Sequence, residues 1–305
     1  MGKCNKRVLN LSFVSKNSYS KKMKRFFKNA LMFLEVSLDA FACVSRGVWE
    51  ENVVGFFSLC RINSLYLHLI IKKNRIMSCI LHIETSTEAC SVAVSEDGWN
   101  EFKVADLQGP QHAVQLGVFV DEALSFVDSH GMVLDAVAVS CGPGSYTGLR
   151  IGVSMAKGIC YGRNLPLIAL PTLEVMCVPV LLQQELPEDA LLCPMIDARR
   201  MEVYAAIYDR ALNVKREIAA DIVDENSYLE FLEKHPVYFF GNGSAKCREK
   251  ITHPNAHFIE GIHPLAKWMF PLAEKAKSKG DFKDVAYFEP FYLKEFVASQ
   301  PKKLI

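Results

Sequence analysis

The chain holds 10 cysteines but no Cys-x-x-Cys pair. Their irregular spacing reads as reduced thiols in a cytoplasmic protein, many of them buried. There is no His-Glu-x-x-His, which excludes the helical zinc-protease site. His112 is followed four residues later by Leu116 rather than a second histidine, and Pro254 and Asn255 separate His253 from His257 in a turn-rich stretch. No Gly-x-Ser-x-Gly elbow occurs, and no serine or cysteine stands out as a nucleophile paired with a histidine base. These absences leave no catalytic residue and no metal-ligand set to assign. No apolar run reaches the ~20 residues of a membrane span. Glu35 and Asp39 break the stretch 30–48, and Arg61, Asn63 and His68 break 56–71.

Charge is divided unevenly. Residues 1–76 hold 14 Lys/Arg against 4 Asp/Glu, and the remainder holds 21 against 30. The basic segment carries no motif and no repeat. Three readings compete for it: an upstream stretch ahead of a true start at Met77, a basic membrane-surface arm, or a small accessory domain. Met77 stands directly before the first convincing strand, which favours the first. The acidic remainder makes a poor stand-alone binder of nucleic acid, because neutralising phosphate supplies most of that affinity.

What is present centres on residues 140–152, Ser-Cys-Gly-Pro-Gly-Ser-Tyr-Thr-Gly-Leu-Arg-Ile-Gly. A short β-branched run, 136–139, precedes them and helical spacing follows, so the stretch is a glycine-rich turn from strand into helix. Ser145 or Thr147 can cap that helix. Gly142, Gly144, Ser145, Thr147 and Gly148 form either a phosphate or nucleotide cradle or a tightly packed turn with no ligand. A Walker loop is excluded because no Lys-Ser or Lys-Thr follows the last glycine. A Rossmann fingerprint is excluded because Gly148 falls one place too late.

Around the turn the pattern predicts strands at 79–85, 89–94 and 101–105, a long helix at 111–130, the 136 strand and its helix, a strand at 165–170 and a helix to 184. On the long helix Leu116, Val120, Ala123, Leu124 and Val127 make one apolar stripe. Phe119 and Phe126 lie off its centre, so the helix is buried on two sides. The plan then restarts with strands at 191–198, 202–208 and 214–219. At a constant offset of 113, Ile83-Glu84 falls on Ile196-Asp197. Two lobes of one duplicated α/β plan, 77–189 and 190–305, explain this order best. Glu84 and Asp197 would then flank one cleft, as metal and phosphate acids or as solvated strand ends. Helix 264–278 contains Pro271 and should be kinked or split. The aromatic segment 289–294 should pack back on the body.

The run Gly142 to Gly152 resembles the signature of the bacterial TsaB (YeaZ) family. Ile83-Glu84-Thr85-Ser86-Thr87, Gln111-His112, Ala156-Lys157-Gly158, Ile196-Asp197-Ala198-Arg199, Glu202-Val203-Tyr204 and Glu289-Pro290-Phe291-Tyr292-Leu293 agree with it. The resemblance covers Met77 onward and leaves 222–286 without a secure match. It implies an actin-like, duplicated ribonuclease-H-type fold. It further implies a non-catalytic, activating subunit in the synthesis of N6-threonylcarbamoyladenosine in tRNAs that read codons starting with A. Implied partners are the TsaD catalytic subunit, the small ATPase TsaE and a second copy of the chain, with tRNA reached only through the complex. No cofactor of its own is implied, and the partner junction is the place left open for ATP. The partner interface falls on the first two long helices, with His112, Leu116, Phe119, Val120, Ala123, Arg150, Gly152 and Ala156 as its candidates. The chain departs from the family at Glu84, where Asp is usual, and at Lys294, where Arg is common. The rival function is an ATP-dependent phosphotransferase or ATPase of the same fold. Against a protease stands the absent ligand pair.

Overall fold

The computed structural model describes residues 78–294, apart from 108, 110 and 111, and the side chain of His112 lies outside the described residues. The readings made for 1–76 likewise fall outside them. The elements in order are β1 (Cys79–Glu84), β2 (Cys90–Glu96), β3 (Trp99–Asp106), α1 (His112–Ser129), β4 (Ala136–Gly142), α2 (Tyr146–Arg163), β5 (Leu167–Pro171) and α3 (Thr172–Gln183). There follow β6 (Leu191–Asp197), β7 (Glu202–Tyr208), β8 (Val214–Ile222), α4 (Leu229–Leu232), β9 (Val237–Phe240), α5 (Ser244–Cys247), β10 (Ala256–Ile259), a 3-10 turn (Ala266–Trp268) and α6 (Phe270–Lys279).

The strands form two five-stranded sheets in a mixed α/β protein, with orders β3-β2-β1-β4-β5 and β8-β7-β6-β9-β10. In each sheet the first three strands pair antiparallel and the last two add parallel. Both sheets thus carry one topology.

The burial pattern follows from this order. β1 is central, and all six of its residues are buried, so it reads as a continuous apolar run rather than an alternating one. His82 sits inside that run. Its ring meets Ser95 Oγ at 2.7 Å, and burial pushes it down to about 3, so it stays neutral. β3 lies at the edge and alternates exposed with half-buried positions. One face of the first sheet (Leu81, Ile83, Val92, Val139) packs against α1 and α2. The other face (Ile80, Ala93, Ala138, Ile168) packs against α3, the 3-10 turn and α6. Helix α3 is apolar all round because it is covered twice. Val175 and Val178 meet the first sheet, while Leu173, Met176 and Val180 meet Leu192, Ala206 and Tyr208 of the second.

Pro271 does split its helix: the 3-10 turn ends at Trp268, and Pro271 lies in the first turn of α6, where its missing N–H is no loss. Strand β10 and the short helices α4 and α5 lie in the region that the sequence left unassigned.

Candidate functional site

The glycine turn is held by the loop that follows β1. Ser145 N–H donates to Ser86 O at 2.6 Å, and Thr85 Oγ1 donates to Gly148 O at 2.8 Å. Ser145 is the helix cap, its Oγ accepting from Gly148 N–H at 3.3 Å. A Cβ on Gly144 would strike Ser86 O, one on Gly148 would strike Thr85 O, and one on Gly152 would strike Thr85 Oγ1. Gly142 has φ +113°, and the carbonyl oxygen of Phe291 fills the place of its absent Cβ. Of the two readings, this geometry fits the packed turn. The N–H groups of Ser145 and Gly148 are used within the chain, and the glycines admit the chain's own backbone. Thr147 is exposed at the start of α2.

Glu84 is fully buried at the end of β1. Its Oε1 accepts from Ser86 N–H at 2.6 Å, and Oε2 has no hydrogen-bond partner. Burial pushes the carboxyl up, partly opposed by the hydroxyls and N–H groups around it, those of Ser86 and Ser140 included. Asp197, at the same place in the second sheet, is exposed and forms an ion pair with Lys246. No direct contact joins the two acids among the described residues. What joins their surroundings is Asn242, which accepts from Asp197 N–H at 3.0 Å and donates to Glu88 Oε2 at 2.8 Å.

The candidate interface needs correction. Leu116, Val120, Ala123 and Ala156 are buried in the core of the first sheet, and Gly152 is buried against Thr85, so none of them can meet a partner. Phe119 packs half-buried against the same core. Arg150 is exposed, and its Nη1 donates to Tyr146 Oη at 2.9 Å. The outward stripe of the helix pair consists instead of Val114, Gly117 and Val118 on α1 with Ser154, Gly158 and Tyr161 on α2. Val114 is 73% exposed and Tyr161 87%. A Cβ on Gly117 or Gly158 would meet nothing. One apolar stripe was legible in the sequence, but its inward direction was not.

The terminal segment does pack back, and more tightly than composition alone implied. Lys283 N–H donates to Leu167 O at 2.8 Å on the edge of β5, and Lys157 Nζ donates to the carbonyls of Ala286 at 3.1 Å and Phe288 at 2.9 Å. Phe291 N–H donates to Cys141 O at 2.7 Å, and Tyr292 lies against Tyr146 with ring centres 4.8 Å apart. Lys294 ends the strap in an ion pair with Glu202 on β7. Among the described residues no group of three or more His, Cys, Asp or Glu could hold a metal ion, and no helix is long and apolar enough to cross a membrane.

The chain is thus a mixed α/β protein with two five-stranded sheets of one strand order, each with a glycine turn after its middle parallel strand, β4 in the first and β9 in the second. The family model described as "TsaD: tRNA N6-adenosine threonylcarbamoyltransferase" matches residues 106–295, more than half of the chain. The Escherichia coli "tRNA threonylcarbamoyladenosine biosynthesis protein TsaB" is 30% identical over 228 residues, spanning 72% of this chain and 96% of that protein. The Haemophilus influenzae protein of the same name is 27% identical over 227 residues, spanning 72% and 94%. The solved structure of YeaZ from Pseudomonas aeruginosa superposes with a TM-score of 0.61 at 25% identity, covering 71% of this chain and all of that one. The chain therefore belongs to the TsaD-model family and, within it, to TsaB (YeaZ).

Proposed function

We propose that this chain is the non-catalytic, activating partner of a TsaD-like subunit in a cytoplasmic complex that makes N6-threonylcarbamoyladenosine in tRNAs reading codons that start with A. Family membership supplies the pathway. The observation that carries the partner role is the outer face of α1 and α2. Glycine in a helix interior costs roughly 0.5–1 kcal/mol against alanine. Gly117 and Gly158 bear that cost with nothing inside the chain to require it. Beside them Val114, Val118 and Tyr161 are left in solvent. A helix pair that is small and apolar on its outer side suits close approach by the helices of another subunit, either the TsaD-like protein or a second copy.

The two sheets, 77–189 and 190–305, are read as lobes of a duplicated, actin-like ribonuclease-H-type fold, supported by their shared strand order. The glycine turns correspond in place: Gly243, after β9, packs against Ile196 and Asp197 at the end of β6, while Gly144 and Gly148, after β4, pack against Ser86 and Thr85 just past the end of β1. Because the glycine turn is filled by the chain itself, ATP and the TsaE-like ATPase belong to the junction with the partner, not to a site of this chain alone.

Reconstitution tests the function. The TsaD-like subunit, with tRNA transcript, TsaE-like ATPase and threonylcarbamoyl-AMP, should form product only when this chain is added, and the chain alone should neither modify tRNA nor hydrolyse ATP. ATP turnover by the chain alone, lost in Asp197→Ala, would transfer the assignment to the phosphotransferase reading.

A further inference from the structure

The β6–β7 turn has a backbone that its residues do not favour. Arg199 has φ 71° and Arg200 φ 52°. Two consecutive left-handed residues suit glycine or asparagine, whereas an arginine there meets the steric clash between Cβ and the following carbonyl. The strain is maintained by neighbours. Asp197 Oδ1 accepts from Arg199 N–H at 3.0 Å. Lys246 Nζ donates to Asp197 Oδ1, to Arg200 O at 2.6 Å and to Glu202 O at 2.7 Å, which uses all three of its hydrogens. Asn242 fixes Asp197 from behind.

The same contacts remove the local counter-charges. Asp197 is taken by Lys246, and Glu202 by Lys294. Arg199 and Arg200 remain exposed, and among the described residues neither guanidinium has an acid to pair with. Two adjacent like charges repel each other, yet here they are presented on a clamped, strained turn of an otherwise acidic body. Strain that the surroundings over-determine marks a binding element, and a guanidinium pair suits phosphate.

We infer that Arg199 and Arg200 form a phosphate-docking turn that takes backbone phosphates of tRNA when the complex engages its substrate. This rests on the functional reading above. RNA is favoured over a free nucleotide because both arginines are exposed on the turn.

The experiment uses the full chain in complex with the TsaD-like subunit, a tRNA transcript and a salt titration. Arg199→Ala/Arg200→Ala should still form the complex but bind tRNA about tenfold more weakly at ~0.1 M salt, with the slope of log K against log salt reduced by roughly 1–2. Arg199→Lys/Arg200→Lys should keep most of the slope. Arg199→Gly/Arg200→Gly should weaken tRNA binding as the alanine pair does while raising the thermal midpoint, because the strain is gone. Wild-type affinity and slope in the alanine pair would overturn the inference alone. So would loss of ATP binding with tRNA binding intact, which would make this a nucleotide turn. A wild-type chain that captures no TsaD-like subunit would overturn the functional reading, and this inference with it.

Discussion

The two sheets share one strand order and use it differently. In the first, the acid that ends β1 is sealed inside the protein. In the second, the acid that ends β6 lies in solvent, tied to a lysine. The cover accounts for the difference. The glycine turn and the strap 281–294 close over the ends of β1 and β4, while the ends of β6 and β9 carry only the short turn 241–243 and the four residues of α5. The helices differ likewise. The third strand of the first sheet leads into the 18 residues of α1 and its fourth strand into the 18 of α2. At the same places the second sheet has α4 and α5, of four residues each. One topology has therefore been specialised: the first sheet carries the long outward-facing helices, and the second carries the exposed charged turn.

The largest expected effect separates the two glycine turns. Gly148→Ala should destabilise by about 3 kcal/mol, the upper range for overpacking, because the obstructing atom is backbone oxygen. Gly243→Ala should cost less, about 1 kcal/mol, since its nearest neighbours, the backbone of Ile196 and Asp197 and the Val203 side chain, lie at 2.9–3.0 Å, farther than Thr85 O would lie from a Cβ on Gly148. Denaturant unfolding of the two variants measures the gap, and equal losses would break the comparison.

The acids come next. Glu84→Ala should cost about 2 kcal/mol, because it leaves Ser86 N–H unpaired in the interior. Asp197→Ala should cost under about 1 kcal/mol, as a partly exposed ion pair does. The pH dependence sharpens this contrast. Burial raises the Glu84 carboxyl in the folded chain above its ordinary 4.5, so the folded state holds the proton more tightly than the unfolded one. That contribution is fully present below the unfolded value and is lost as pH rises toward the raised folded value. Glu84→Gln should remove this decline and gain on the wild type as pH increases past 4.5. Parallel unfolding curves for wild type and Glu84→Gln across that window would contradict the buried-acid account.

The smallest effect has the opposite sign. Gly158→Ala should stabilise the isolated chain by about 0.5–1 kcal/mol, because nothing lies near its Cβ. The same change should weaken assembly if a partner helix approaches there. A thermal midpoint measured beside a binding curve reports both.

Much of the fold was legible because its signals are local. The β-branched runs, the Gly-Pro-Gly turn and the acid recurring at an offset of 113 located most of the strands of both sheets before any contact was known. Direction was not legible. The stripe Leu116-Val120-Ala123 declares a buried face but not whether the cover is the chain's own sheet or another protein. The empty space beside Gly117 and Gly158 and the exposure of Val114, Val118 and Tyr161 identify the side left free. The glycine turn was ambiguous for the same reason. Glycine serves close approach of any group, and within the chain the carbonyls of Ser86 and Thr85 are what approach Gly144 and Gly148. Lys246, Asn242 and the left-handed arginines act through long-range contacts and backbone angles, which no spacing encodes.

The most direct test of the partner role is capture of the TsaD-like subunit from the organism's own cells by the tagged full chain, compared across the two sides of α1. Val118→Asp, on the outer side, should abolish capture while leaving the thermal midpoint within a few degrees. Val118→Ala should retain capture. Capture undiminished in Val118→Asp, or a wild-type chain that comes down alone, would contradict the account.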